Sequence, residues 1–286
     1  MVDFERVDAM RRRATIPARI NIIGEHTDYA GGKALPFALD VHLVLEASAL
    51  NAGFEGGATV IELWKAAGGW PARLSVESEI PIGVGMSSSA ALCLAVVLCV
   101  HGPMKPLDAC REAQRIEHEV LKTPCGLLDQ MAMMHGKQGY ASLIDFSRNS
   151  IEDFPVPNDW LFKLVDSGIH RTLGDTSYRD LRNEAAHSAH VESENQRVDL
   201  ARNASPKRLG ELLNQSHTSL QRCGLSVPEM DKQVDALQRT EGVHGARMMG
   251  GGFGGMILVL VASEKVLPNQ RLYRPSQGGR VEELFE

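Results

Sequence analysis

Residues Ala90 to Val100 are eleven consecutive apolar side chains, preceded by the small-residue stretch Gly83-Val84-Gly85-Met86-Ser87-Ser88-Ser89 and stopped by His101-Gly102-Pro103. A helix that is apolar on every side has to be wrapped by other elements. At eleven residues it falls short of the ~20 needed to cross a bilayer. The chain must therefore build layers around one central helix that begins at the serines. Its 286 residues suffice for two lobes at roughly 150 residues each. Hydrophobic residues make up 43% and charged residues 23%, which excludes a disordered or collagen-like chain. The net charge of −6 argues against non-specific nucleic-acid binding.

Cys93, Cys99, Cys110, Cys125 and Cys223 are odd in number and lack CxxC or Cys/His spacing, so neither a disulfide framework nor a zinc site is expected. The opening residues carry Asp3, Glu5 and Arg11-Arg12-Arg13 without a following apolar stretch, unlike a secretory signal. These features predict a soluble, cytoplasmic protein with no membrane partner.

Around the central helix, the pattern predicts a strand from about Thr15 into a turn at Gly24 and a second from Ala38 to Ala47. Residues 51–69 show no convincing period. A helix over about 107–122 places Cys110, Ala113, Val120 and Leu121 on one stripe together with Glu117, a carboxylate on an inward face. A short helix over about 127–135 carries Asp129 near its N-terminal end, with Gly136 as its cap. Phe154-Pro155-Val156-Pro157 interrupts regular structure and marks a boundary between lobes 1–156 and 157–286. Beyond it, Leu161 to Asp166 reads as a strand, and capping boxes at Ser177/Asp180 and Ser226/Glu229 open helices. Two further strands flank Gly250 to Gly255. His187, His190 and His217 lack ligand spacing and read as surface or helix residues.

Three constellations carry chemistry. Gly83, Gly85 and Ser87, Ser88 and Ser89 run into a helix N-terminus, where free N–H groups and the dipole suit phosphate oxygens. No Walker A lysine follows, so any phosphate loop here is of another kind. Arg19, Asn21, Glu25, His26, Asp28 and Tyr29 crowd the end of the first strand, with carboxylates that suit sugar hydroxyls and a guanidinium that suits an anion. Asp129 and Glu117 form the third set. Two readings stand for each: proton acceptor or dipole-favoured carboxylate for Asp129, metal ligand or buried ion pair for Glu117.

Pro17-Ala18-Arg19-Ile20-Asn21-Ile22-Ile23-Gly24-Glu25-His26-Thr27-Asp28-Tyr29, the serine-rich loop and Gly250 to Gly255 together resemble the motifs of the GHMP kinase family, and within it the galactokinases. Ala18 stands where the family usually has Gly, and Met86 where it has Leu. The resemblance covers nearly the whole chain. It implies an α+β, two-lobed GHMP kinase fold, with an N-terminal βαβ-type nucleotide-binding lobe and a C-terminal ferredoxin-like lobe. It also implies ATP-dependent phosphorylation of the anomeric hydroxyl of galactose, with Mg2+.

By position, the resemblance makes Asp129 the base and Arg19 its charge partner. The sugar contacts fall to Arg19, Glu25, His26, Asp28, Gly126, Asp129 and Tyr178, with Glu25 taking the 6-hydroxyl. The amides of the loop from Gly83 and Gly85 to Ser89 cradle the phosphates, and Ser89 with Glu117 holds the metal. An N-acetylgalactosamine kinase, another sugar-1-kinase and a non-catalytic sugar sensor are the alternatives. Mevalonate and homoserine kinases lack the Glu25-His26-Thr27-Asp28-Tyr29 run. The oligomeric state is not fixed, with a monomer favoured. Relative to typical members the chain is shortened between about Ala47 and Ser78 and near Glu184 to Glu192. The first stretch lies on the adenine side, where Trp64 is expected to stack.

Overall fold

The computed structural model describes residues 10–81, 83–169 and 185–284. Three sheets organise them. The first has the order β12-β1-β3-β5-β4. β1 (Arg11–Asn21) and β3 (Pro36–Ala49) pair antiparallel along most of their length, with a bulge between Pro17 and Arg19. Both strands are buried along most of one face, which lets each run further than its alternating residues alone predict. β4 (Phe54–Glu55), α1 (Ala58–Ala66) and β5 (Ala72–Ser78) form a small βαβ unit, since β4 and β5 are parallel. The rest of this sheet is antiparallel, so the βαβ character expected of the N-terminal lobe is confined to this unit.

The central helix α2 (Ser88–His101) has ten of its 14 residues buried, as an all-round apolar run requires. β1 and β3 cover one side, and α1, α3 (Pro106–Ile116) and α4 (Leu128–Met134) the others. α3 continues into a π turn at Glu117–Leu121, closed by Lys122 with φ 57°. A one-residue expansion of this kind shifts the side chains that follow it and recurs at functional sites. β2 (Lys33–Ala34), β6 (Tyr140–Asp145) and β7 (Ser150–Pro155) make a three-stranded sheet.

β8 (Leu161–Asp166) opens the third sheet, whose order is β11-β8-β10-β9 and whose pairs are all antiparallel. α5 (Ala185–Ala201), α6 (Pro206–Arg222) and α7 (Pro228–Gln238) precede β9 (Val243–Met248) and β10 (Met256–Val261). α6 and α7 pack on β9. After β11 (Leu272–Tyr273) the chain returns to the first sheet, where β12 (Arg280–Leu284) pairs with β1. The architecture is the expected α+β one.

Several local expectations are corrected. Gly136 is not a left-handed cap. It is a close-contact position, since a Cβ there would lie 2.4 Å from the Ala38 Cβ and 2.9 Å from Gly278 backbone. Ser226 does not cap α7: Pro228 takes the first helical position, so Val227 becomes the N-cap and the Ser226 hydroxyl turns to Asp231. Trp64 is fully buried; its indole N–H donates to Trp70 O at 2.7 Å, and its ring meets Trp70 edge-on. A ring enclosed in this way has no face left for a base. His187, His190 and His217 are helical but buried rather than on the surface. The capping box at Ser177/Asp180 lies outside the described residues.

Candidate active site

A pocket opens where β1, the N-terminus of α4 and the glycine connection between β9 and β10 meet. Arg19, Glu25, His26, Asp28, Gly126 and Asp129 all line it, with Gly250 and Gly251 from the connection.

The segment from Gly24 to Lys33 that follows β1 is held from behind. Thr27 donates its hydroxyl to the carbonyls of Gly24 and Lys33, both at 2.9 Å. His187, His190 and Glu194 recur at helical spacing on α5 and face this segment. The two imidazoles donate from Nε2 to the carbonyls of His26 (3.0 Å) and Glu25 (2.9 Å). Glu194 accepts from the Gly24 amide at 3.0 Å and from Ser216 and Arg197. Burial opposes its charge, but Arg197, His190, Ser216 and Arg247 together hold its carboxyl below the usual range. Asn195 accepts the Lys33 amide at 2.7 Å.

Arg19 is only 3% exposed. Its Nε donates to Asp129 Oδ1 at 2.8 Å, and its Nη1 to the carbonyl of Gly85 at 2.7 Å. The other Asp129 oxygen accepts from the Ser87 hydroxyl. One carboxylate is thus fixed at both oxygens, by β1 on one side and by the residue just before α2 on the other. Ser87 occupies the left-handed region, with φ 61°. The Asp129 side chain keeps 28% of its surface exposed and faces the pocket.

Next to this lies a second carboxylate. Glu117 is 2% exposed and accepts from Ser89 Oγ at 2.7 Å, from Gln130 Nε2 at 2.9 Å and from the Cys125 thiol. Burial, reinforced by the nearby Asp129 charge, pushes its carboxyl up to about 7. Three donors and no cation surround it among the described residues, so a bound cation would complete its electrostatics.

Gly126 and Asp28 are in close approach: a Cβ at residue 126 would fall 1.8 Å from Asp28 Oδ2. The same oxygen accepts the Leu128 amide at 3.2 Å, at the start of α4. Burial raises the Asp28 carboxyl to about 6, with Asp129 and Glu25 adding to the effect. Between 3.8 and about 6 the folded chain keeps this proton while the unfolded chain has lost it. The protonated carboxyl therefore contributes stability that is complete below the lower value and is lost as pH rises through the upper one. We predict that the melting-temperature difference between wild type and Asp28→Asn, measured without ligand, grows more favourable to wild type on going from pH 7.5 to pH 4.5. A difference independent of pH, read by differential scanning fluorimetry, would discount the burial effect.

The structure brings together six of the seven residues expected to contact sugar; the seventh, Tyr178, lies outside the described residues. Gly85, Ser87 and Ser89 meet this cluster through Arg19, Asp129 and Glu117, while Ser88 opens α2 beside them. Gly83 has φ 79° and open space where a side chain would sit. The glycine connection packs onto the phosphate-loop candidate: the Met256 amide donates to Val84 O at 2.9 Å. Sequence reasoning missed Gln130, Glu194 and Arg247. Gln130 follows Asp129 directly and Arg247 stands three residues before Gly250, so proximity to a motif was the available signal; nothing in the sequence marked Glu194.

The fold and this site define a GHMP kinase. Family models match at three places: the GHMP kinase N-terminal domain over residues 56–137, the GHMP kinase C-terminal domain over 198–271 and the galactokinase galactose-binding signature over 7–49. The galactokinase of Thermotoga neapolitana is 32% identical over 87% of this chain and 89% of its own length; that of Thermotoga maritima is 32% identical over 85% and 87%. Within the GHMP kinases, the chain belongs to the galactokinase family. The crystal structure of Lactococcus lactis galactokinase with galactose superposes with a TM-score of 0.81 at 24% identity, covering 96% of this chain and 95% of that one. The Methanococcus jannaschii mevalonate kinase structure gives 0.71 at 16% identity, covering 93% and 98%. No single helix is long and apolar enough to cross a membrane among the described residues.

Proposed function

We propose that this chain transfers the terminal phosphoryl group of ATP to the anomeric hydroxyl of galactose, giving galactose 1-phosphate and ADP. The observation that carries this reading is Asp129, held at both oxygens by Arg19 and Ser87 on the wall of the pocket that the sugar-signature residues line. Phosphoryl transfer asks little covalent chemistry of a protein and much positioning. Asp129 accepts the hydroxyl proton as the oxygen attacks phosphorus. Arg19 balances Asp129 and offers positive charge toward the transferring group. Glu25, His26, Asp28 and the Gly126 backbone hold the sugar, with Tyr178 as a further contact. The amides of the Gly83 to Ser89 loop, at the positive end of α2, receive the nucleotide phosphates.

Mg2+ fits the pair Ser89 and Glu117: both offer oxygen, the hard-ligand chemistry the ion prefers, and the buried carboxylate has no counter-charge. No group of three or more His, Cys, Asp or Glu suited to a metal occurs among the described residues, so nucleotide oxygens and water would complete the coordination. When bound, the ion would neutralise phosphate charge. In this reading residues 1–156 and 157–286 are the two GHMP kinase lobes, with β12 returning to the first. The five free cysteines, four of them buried, support a reducing cytoplasmic setting.

A coupled assay of ADP release with a panel of hexoses and N-acetylgalactosamine, in the presence of Mg2+, tests the proposal. Galactose is expected to support the highest kcat/KM. Absence of sugar-dependent turnover alongside measurable galactose binding would turn the reading to a sensor.

A further inference from the structure

Arg247, the penultimate residue of β9, is fully buried. Its Nε donates to Ile22 O at 3.0 Å, its Nη2 to Asn21 O and its Nη1 to Met248 O at 2.7 Å. Both terminal nitrogens also lie 3.3 Å from Glu25 Oε1, which accepts in addition from the Gly250 amide at 2.8 Å. One oxygen of Glu25 is therefore surrounded by three donors. No described residue hydrogen-bonds the other, Oε2, although Glu25 is only 4% exposed and lines the pocket.

A buried cation is costly to keep unless it is paired and its donors are satisfied. Here every acceptor of the guanidinium belongs to the end of β1 and the turn after it, to Glu25 or to its own strand. The terminal torsion of a Glu side chain is broad and roughly two-fold, so Glu25 by itself does not set the direction in which its acceptor faces. Anchoring Oε1 removes that freedom. Five donors in a planar fork serve these four acceptors, which the three donors of a Lys cannot reproduce.

We infer that Arg247 is a positioning residue for sugar selectivity: by holding Oε1 of Glu25 it presents Oε2 to one hydroxyl of the bound sugar. This rests on the pocket taking galactose, as proposed above. A sugar lacking that hydroxyl leaves a buried acceptor unpaired, and a fixed acceptor penalises this more than one free to turn away.

The test compares kcat/KM for galactose with that for each monodeoxygalactose, in wild type, Glu25→Ala, Arg247→Met and Arg247→Lys. The analogue whose penalty Glu25→Ala removes marks the hydroxyl that Glu25 reads. In wild type that penalty is expected to be about 100-fold. In Arg247→Met it falls below about 10-fold, while penalties on the other analogues and the KM for ATP stay within about threefold. Arg247→Lys, which keeps charge and length, is expected to fall between the two, and it decides the matter if Arg247→Met does not fold. A purely structural role would move all analogues and ATP together. An unchanged penalty in a folded Arg247 variant, or no analogue relieved by Glu25→Ala, overturns the inference alone. Wild type without galactose turnover overturns the function reading, and this inference with it.

Discussion

Asp129→Asn is expected to lower kcat for galactose by about 10³–10⁴-fold while leaving a folded protein, the range that loss of a positioned acid–base group produces. The amide oxygen can still accept from Arg19 Nε, now at 2.8 Å, so the pocket wall keeps its shape. What disappears is the capacity to take a proton. The exchange also leaves the Arg19 charge less balanced, but Asp129 is partly open to the pocket, and a fall in melting temperature of no more than ~5 °C is expected. Single-turnover phosphate transfer with saturating ATP and galactose, beside a thermal melt, checks both halves. A rate within tenfold of wild type would remove Asp129 from the role of acceptor.

The second large effect is at Gly126. A methyl group there would lie 1.8 Å from Oδ2 and 2.2 Å from Cγ of Asp28. A contact that short cannot be absorbed in place. Asp28 has to swing away, giving up the Leu128 amide, and the displaced carboxylate moves within the pocket that it lines. Overpacking of this kind costs roughly 1–3 kcal/mol, and its upper end corresponds to about 100-fold in affinity. We therefore expect Gly126→Ala to weaken galactose binding by about that factor in a calorimetric titration, with the KM for ATP changed less than about threefold. Galactose binding within threefold of wild type would show that Asp28 is not a sugar contact.

How much of this was legible in the sequence depended on whether a residue's partners lay close to it in the chain. The helix around Ala90 to Val100 and the strand Leu161 to Asp166 came through because composition and stop signals are local properties. The sugar-signature residues came through as a set because they sit together after one strand. The βαβ unit at Phe54 to Ser78 did not. β4 has two residues, and α1 buries only Leu63 and Trp64, which is too little to print a period. Trp64 was legible as a large aromatic in a shortened stretch, but whether such a ring faces ligand or core is decided by what packs on it, and Trp70 does. The buried histidines of α5 looked idle because their partners are backbone carbonyls about 160 residues away, and carbonyls leave no mark in a sequence. Arg247 was hidden for the same reason.

The pairing of β12 with β1 bears on the order in which this molecule is made. β1 carries Arg19, yet its outer edge is closed by residues 280–284, the last described strand. A chain emerging from the ribosome folds its early parts first, at roughly 5–20 residues per second. The sheet that holds Arg19 must therefore wait with that edge of β1 bare until residues 280–284 have been synthesised, exposed for that interval to pairing with a neighbouring nascent copy. Along that edge Arg11 and Arg13 pair with Glu46 of the neighbouring β3, whereas Arg12 meets Glu283 of β12, so part of the charge on the waiting edge finds its acidic partner only when its own distant strand arrives.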